Sequence, residues 1–192
     1  MRALAASLVA IVASTALLGF GYPALMTGFA ALAFPNTSQG SLVSAQGRII
    51  GSKLAAQAFT GPRYFHERPS ATTPPYNPAG TTFSNLGPTN PALAKLVAEN
   101  ARAVLALERP YNRGLTIHQI PVDAVVPSGS GIDPDISPAY AQLQARRIAA
   151  VRHLPLVRVQ TLISTYTDGR TLGFFGEPGV NVLELNRALD GR

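Results

Sequence analysis

The chain has 192 residues, enough for one ordinary domain and a short appendage. Charged residues make up only 14% of it, against about 25% in an average soluble domain, which excludes a disordered, highly charged protein. The formal net charge is +6, and 14 of the 16 basic residues are arginine. The absence of cysteine excludes disulfides, thiolate zinc sites and cysteine nucleophiles.

The N-terminal segment is almost entirely apolar. No charged residue lies between Arg2 and Arg48. A bilayer span takes about 20 apolar residues, and residues 4–26 meet that requirement. We therefore predict a transmembrane anchor over residues 1–34, with Pro23 kinking its exit end.

A cleaved signal peptide is the main alternative, because residues 31–33 read Ala-Leu-Ala, as at a cleavage site. The apolar stretch is longer than the 7–15 residues usual in a signal peptide, and the basic region before it contains only Arg2 and the amino terminus. A retained span is therefore favoured. A buried core helix is the third interpretation, and the length of the stretch disfavours it.

The anchor has two further features. Ala6, Ala10 and Ser14 recur every four residues and predict a small, smooth face for packing against another transmembrane helix. The next basic residue after Arg2 is Arg48, so the positive-inside rule places the N-terminus in the cytoplasm. We therefore expect a single-pass protein of the cell (inner) membrane that contacts lipid. Its main domain is expected to be extracytoplasmic.

Residues 35–192 have the size of a single domain. Their first half is predicted to contain a short strand or turn and then a helix from near Ser52, all within residues 46–59. Residues 61–88 are rich in Pro, Thr, Asn and Gly and form a long irregular segment. A helix follows from Pro91, with Asn90 as its cap.

The second half of the domain alternates between strands and helices. Alternating apolar residues predict the first strand, β-branched residues the second, and the Asp168-Gly169 turn a hairpin. Ser137 and Asn181 are the expected helix caps. The predicted elements are a strand over 120–126, a loop over 127–131, a helix from Pro138 to about His153, a strand over 156–166, its hairpin partner over 171–175 and a helix over 182–189. This order predicts an α+β fold.

Motifs for catalysis are missing from the sequence. The loop Ser128-Gly129-Ser130-Gly131 lacks the Lys-Ser/Thr end that a phosphate-binding loop needs. The three histidines share no metal-ligand spacing, and Asp133 and Asp135 are expected to cap the following helix rather than bind a cation. The basic residues are dispersed, which disfavours nucleic acid as a partner. We expect no catalytic residue, no metal and no tightly bound cofactor.

Several long strings nevertheless resemble one family. They are YFHERPSA from Tyr64, SNLGPTNP from Ser84, SGSGIDP with ISP from Ser128, and GEP with NVL from Gly176. Their order and spacing are similar to the C subunits of Kdp-type potassium-transporting ATPases, over essentially the whole chain. Glu67 departs from the family pattern, since a small residue is common there, as do Pro127 and Gly179.

The resemblance implies an accessory subunit that works with a channel-like, potassium-selective subunit, and with a P-type, ATP-hydrolysing subunit. The family is described as a catalytic chaperone that raises the ATP affinity of the ATP-hydrolysing subunit, and the glutamine credited with nucleotide contact matches Gln144. If the N-terminus is cytoplasmic, Gln144 lies outside the cell, where ATP is scarce. The alternatives are an outer cap on the potassium entrance of the channel-like subunit, without nucleotide contact, and an unrelated membrane-anchored binding domain.

We predict that residues 64–91 and 128–138 form the recognition surface of the outer domain, because loops on a rigid scaffold commonly bind partners. The alternative is that these strings only satisfy turn geometry, with Gly87, Gly129 and Gly131 chosen for their backbone angles. The candidate recognition residues are Tyr64, Phe65, Arg68, Asn85, Asn90, Ser128, Ser130 and Asp133.

Overall fold

A computed structural model describes residues 1–191 of the chain. The chain divides into two compact units, Met1–Leu42 and a second unit that begins at Val43. The first unit contains helices α1 (Arg2–Ser14), α2 (Tyr22–Ala33) and α3 (Pro35–Ser38), and a π-helical turn, Thr15–Gly21, joins α1 to α2.

Residues Arg2–Ala33 form a continuous helical stretch of 32 residues, with a mean hydropathy of 2.2, that is long and apolar enough to cross a membrane. The π-helical turn has a local cause, because Pro23 has no N–H to donate and its ring crowds the preceding turn. The Tyr22 N–H instead donates to the Leu17 carbonyl, five residues back. Ser7 Oγ donates to the Ala3 carbonyl at 3.0 Å, which satisfies a hydroxyl on an apolar helix.

The second unit is an α+β fold, as the sequence predicts. Two short strands, β1 (Leu42–Ala45) and β2 (Arg48–Ser52), form a two-stranded sheet. The remaining elements are α4 (Pro91–Glu108), 3₁₀ turns Ile117–Gln119 and Val122–Ala124, β3 (Asp135–Ile136), α5 (Pro138–Arg152), α6 (Leu156–Thr165), β4 (Thr167–Asp168), β5 (Gly179–Asn181) and α7 (Val182–Leu189). β5 lies between β3 and β4 and is antiparallel to both.

The predicted helix caps of α4, α5 and α7 are confirmed. The side chains of Asn90, Ser137 and Asn181 accept hydrogen bonds from the backbone N–H groups of Ala92, Tyr140 and Glu184. α5 ends at Arg152, and the next residue, His153, caps it in a left-handed conformation with φ 55°. A capping residue followed by proline therefore correctly predicts the start of α4 and of α5.

Four predicted elements are wrong. No helix begins near Ser52; β2 ends there and irregular chain follows. Residues 120–126 form no strand and contain the 3₁₀ turn Val122–Ala124, and residues 156–166 contain α6 instead of a strand. The Asp168-Gly169 hairpin is absent because β4 pairs with β5, while Thr171 and Phe175 form only an isolated bridge.

The core of the second unit surrounds α5. α5 packs against α4, α6 and β5, and α7 packs against α6 and β5. The fully buried apolar side chains at its centre include Phe65, Ile136, Ala141, Ile148, Val159, Ile163, Val180, Val182 and Leu185. Phe65 belongs to the irregular segment 61–88, so this core holds one end of that segment in place.

Candidate recognition surface

The irregular segment is held against the helices by two side-chain amides. Asn186 on α7 accepts from the N–H of Phe65 at 2.8 Å and donates to its carbonyl at 2.9 Å. Gln144 on α5 likewise accepts from the N–H of His66 at 2.8 Å and donates to its carbonyl at 3.1 Å. Each amide therefore pairs with one residue as a neighbouring strand would, and satisfies backbone groups that have no strand partner.

A buried arginine completes this arrangement. Arg147 is 0% exposed, and its Nε donates to Glu108 Oε1 at 2.7 Å. Its Nη1 donates to the carbonyls of Pro62 at 2.6 Å and Tyr64 at 2.9 Å, and its Nη2 donates to Gln144 Oε1 at 2.8 Å. We call Glu108, Gln144, Arg147 and Asn186 the polar clamp, because together they fix the backbone of residues 62–66.

Burial dominates the electrostatics of the clamp. It raises the pKa of Glu108, and the adjacent Arg147 guanidinium partly opposes that shift. Burial also lowers the pKa of His66, whose Nε2–H donates to the Gly61 carbonyl at 2.8 Å, which fixes the tautomer. The clamp therefore contains one ion pair, and the histidine beside it is stabilised in its neutral form.

Downstream of the clamp, two hydroxyl groups organise a tight turn. Ser70 Oγ accepts from the N–H of Tyr76 at 3.0 Å and donates to the Gly131 carbonyl at 2.6 Å. Thr72 Oγ1 accepts from the N–H of Asn77 at 3.0 Å and donates to the Pro74 carbonyl at 2.8 Å. The hydroxyl of Ser70 thereby joins the segment 61–88 to the loop 127–131.

Glycine is required where these two segments meet. Gly131 has φ +74°, and a Cβ there would lie 2.6 Å from Thr72 Cγ2 and 2.7 Å from the Thr82 carbonyl oxygen. Arg68 and Asp133 form an ion pair across the same junction at 2.8 Å. The two segments predicted to form the recognition surface are therefore in direct contact.

Two predicted recognition residues are buried and do not present a surface in this conformation. Phe65 is 0% exposed and Ser128 only 4%. Phe65 packs in the core, and Ser128 Oγ accepts from the Gly131 N–H at 2.9 Å, which makes it a turn residue. Ser128 therefore satisfies the geometry of the turn, which is the alternative interpretation of this string.

The other candidates lie at or near the surface. The Tyr64 ring packs at a tilt against that of Phe59 with centroids 5.5 Å apart, and the Arg152 guanidinium carbon lies 5.1 Å from the centre of the Tyr64 ring. Asn90 is the cap of α4, Asn85 is exposed with φ 53°, and Ser130 is exposed. Arg68 and Asp133 are partly exposed and paired with each other.

The expected capping of α5 by Asp133 and Asp135 is wrong. Ser137 is the cap of α5, and Asp123 supports it by accepting from Ser137 N–H at 2.7 Å and from Ser137 Oγ at 3.0 Å. Asp135 instead accepts from the Asn181 side-chain amide at 3.1 Å, and burial raises its pKa. Among residues 1–191, no group of three or more His, Cys, Asp and Glu side chains could hold a metal ion.

Comparison with known proteins decides the family. A family model described as K+-transporting ATPase, c chain (KdpC) matches residues 4–191. The chain belongs to the KdpC family. A potassium-transporting ATPase KdpC subunit of Sorangium cellulosum is 50% identical, over 96% of this chain and 95% of that protein. The KdpC subunits of Methylobacterium nodulans and Methylococcus capsulatus are each 48% identical, over 96% and 92% of this chain and 94% and 90% of their own lengths.

As a member of the KdpC family, the chain is a subunit of a potassium-transporting ATPase complex. Together with the helix Arg2–Ala33, this membership indicates a membrane-anchored protein. The polar clamp could not be found from the sequence, since Gln144 and Asn186 lie 78 and 121 residues from their partners. The polar residues of α5 and α7 gave no local signal of that role.

Proposed function

We propose that this chain is a non-catalytic accessory subunit that assembles with a channel-like subunit, and with an ATP-hydrolysing subunit, in an ATP-driven potassium uptake complex. The domain over residues 35–192 lies outside the cytoplasm and caps the potassium entrance of the channel-like subunit. ATP enters this function only through the ATP-hydrolysing subunit. The small face of Ala6, Ala10 and Ser14 on α1 contacts a neighbouring transmembrane helix, and all three residues are exposed in this chain.

One observation favours the cap over the catalytic chaperone. Gln144, the residue that the chaperone proposal assigns to nucleotide contact, is 0% exposed. Its Oε1 already accepts from His66 N–H and Arg147 Nη2, and its Nε2 donates to the His66 carbonyl. A nucleotide could reach Gln144 only after residues 62–66 had left the polar clamp, leaving buried groups unpaired.

The surface that remains for a partner is formed by the exposed parts of the two joined segments. Residues 79–90 are largely exposed and include Phe83 at 54% exposure. The polar clamp and the Ser70 hydroxyl hold the base of this surface, as a rigid scaffold holds a binding loop.

The absence of cysteine allows a direct test of topology. Ser84→Cys places one thiol on the exposed segment, and Ser128→Cys is a matched control whose side chain is buried. We expect a membrane-impermeant maleimide to label Ser84→Cys in intact spheroplasts, and Ser128→Cys only after denaturation. A third variant, Ala3→Cys, is expected to react only after permeabilisation. Labelling of Ser84→Cys that requires permeabilisation would contradict the outer location.

A second measurement separates the cap from the chaperone. In the assembled complex, a photoreactive ATP analogue is expected to leave this chain unlabelled and to label the ATP-hydrolysing subunit. Crosslinking to α5 of this chain at Gln144 would reject the cap without nucleotide contact and support the catalytic chaperone.

A further inference from the structure

The domain also contains a cavity that has no role in the proposed cap. The cavity has a volume of about 240 Å³ and opens between the segment 59–76 and helices α4 and α5. The rings of Phe59, Tyr76 and Tyr140 line it, together with Asn100 and Glu67. Asn100 Nδ2 donates to the Val125 carbonyl at 2.8 Å, which fixes the side-chain amide in place.

Glu67 is the unusual member of this cavity. It is 5% exposed, and both of its carboxyl oxygens are buried with no hydrogen-bond partner. Glu108, the other buried glutamate, has Arg147 on one oxygen. Burial raises the pKa of Glu67 well above its usual range; the nearby Gln57 backbone partly opposes this without reaching hydrogen-bond geometry, and the Asp133 and Asp135 carboxyls add to the rise. An unpaired buried carboxylate is costly, so a cation beside it would be strongly stabilising.

The walls decide which kind of cation fits. A bare alkali ion needs several oxygens to replace its hydration shell; here the Tyr76 hydroxyl is already bonded to the Arg68 carbonyl, and three aromatic rings make up much of the remaining wall. Aromatic rings around a carboxylate are the environment that favours ammonium groups carrying alkyl carbons. We propose that this cavity binds one alkylammonium group, with Glu67 as its counter-ion and the rings of Phe59, Tyr76 and Tyr140 as its walls. The group belongs either to a free amine or to a lysine side chain of a neighbouring subunit.

Binding is coupled to ionisation of Glu67. His66, Tyr76 and Tyr140 line the cavity with this carboxyl, and the charges of Asp133 and Asp135 act on it through space. Asp133 is paired with Arg68, and Arg147, which acts on His66, is paired with Glu108. Burial lowers the pKa of His66 and raises that of Tyr76 to about 12, and it also raises the pKa of Tyr140, so the two tyrosines stay neutral near pH 7. An ammonium pairs with the ionised carboxylate, so Glu67 must release its proton. The affinity therefore increases with pH, by up to about tenfold per unit, until the raised pKa of the empty site is passed.

Calorimetric titration of the full chain in detergent with propylammonium chloride tests the proposal. We expect saturable binding that strengthens from pH 6 to pH 8 and becomes at least tenfold weaker in Glu67→Gln. The matched control is Glu99→Gln, an exposed carboxylate on α4, which should bind as the parent chain does. Equal binding by Glu67→Gln, or no saturable binding at pH 8, would overturn the proposal.

Two further measurements keep the test decisive. If Glu67→Gln fails to fold, the pH dependence of the parent chain decides, and an affinity independent of pH rejects Glu67 as the counter-ion. Potassium chloride that displaces propylammonium at equal concentration would show a bare-cation site and also reject the proposal.

In the complex with the channel-like and ATP-hydrolysing subunits, loss of propylammonium binding assigns the ammonium to a neighbouring lysine, and retained binding assigns it to a free amine. Either result supports an ammonium site.

Discussion

Two irregular regions of the domain differ in what holds them. Residues 61–88 contain no helix or strand, yet the polar clamp fixes the backbone of residues 62–66 and two hydroxyls fix that of residues 74–77. Residues 169–178 have the Thr171–Phe175 bridge and an exposed ion pair between Arg170 and Glu177 at 2.6 Å. Their apolar side chains point outward, with Leu172 78% and Phe174 64% exposed. The first region is therefore fixed by buried side-chain donors and acceptors, whereas the ion pair and the large apolar side chains of the second lie at the surface.

The largest expected effect comes from the centre of the clamp. Arg147→Ala leaves the buried Glu108 carboxylate and two backbone carbonyls without their donor. We expect the free energy of unfolding to fall by about 3–5 kcal/mol, the cost of breaking a buried ion pair from one side. Urea unfolding of the full chain in detergent measures it. The adjacent exposed arginine provides the control, Arg146→Ala, and a loss below about 1 kcal/mol in Arg147→Ala would contradict a supporting role for the clamp.

A smaller effect is expected from one clamp amide. Gln144→Ala leaves the N–H and carbonyl of His66 unpaired, and we expect a loss of about 1–3 kcal/mol. Amide hydrogen exchange at Phe65 and His66 should accelerate more than exchange in α6. Gln142→Ala is the matched control, because Gln142 is exposed on the same helix. Unchanged exchange at His66 would show that Gln144 does not hold this segment.

The smallest effect is expected in the second irregular region. Phe174→Ser removes an exposed ring whose contact within the chain is with Phe175, at 4.1 Å between centroids. We expect the free energy of unfolding to change by less than about 0.5 kcal/mol, as at most surface positions. The same urea titration checks this, and a loss of about 2 kcal/mol or more would mean that the two regions are held alike.

The sequence predicts the elements whose signals are local. Asn90-Pro91 and Ser137-Pro138 combine a side-chain acceptor with a residue that needs no N–H partner, so they mark helix starts within the chain itself. The apolar anchor is equally local, because its length and composition need no partner in the fold.

The two strand predictions failed for different reasons. Residues 156–166 are rich in β-branched side chains, but Leu156, Val159 and Ile163 recur at helical spacing, and the last two are buried against the core. Residues 120–126 alternate as a strand would, but Pro121 and Pro127 restrict the backbone on both sides, and a 3₁₀ turn results. In residues 156–166, burial of the apolar stripe at helical spacing therefore outweighed the strand propensity of the β-branched residues.

The candidate site was predictable only in part. The sequence identifies the two segments, but the contact between them could not be read from it, because Arg68 and Asp133 are 65 residues apart. Burial of Phe65 and Ser128 also depends on packing partners distant in sequence. The unpaired carboxyl of Glu67 could be recognised only once the surrounding rings were placed.

The π-helical turn Thr15–Gly21 has a consequence for how the anchor meets other helices. A π-helical turn contains one residue more than an α-helical turn. Side chains after it are therefore rotated about the helix axis by roughly 100°, the angle of one residue, relative to a continuous α-helix. The stripe that begins at Ala6 and Ala10 therefore cannot run straight along the whole span. α1 and α2 present different sides to the same direction, so one straight neighbouring helix could not follow both of these sides.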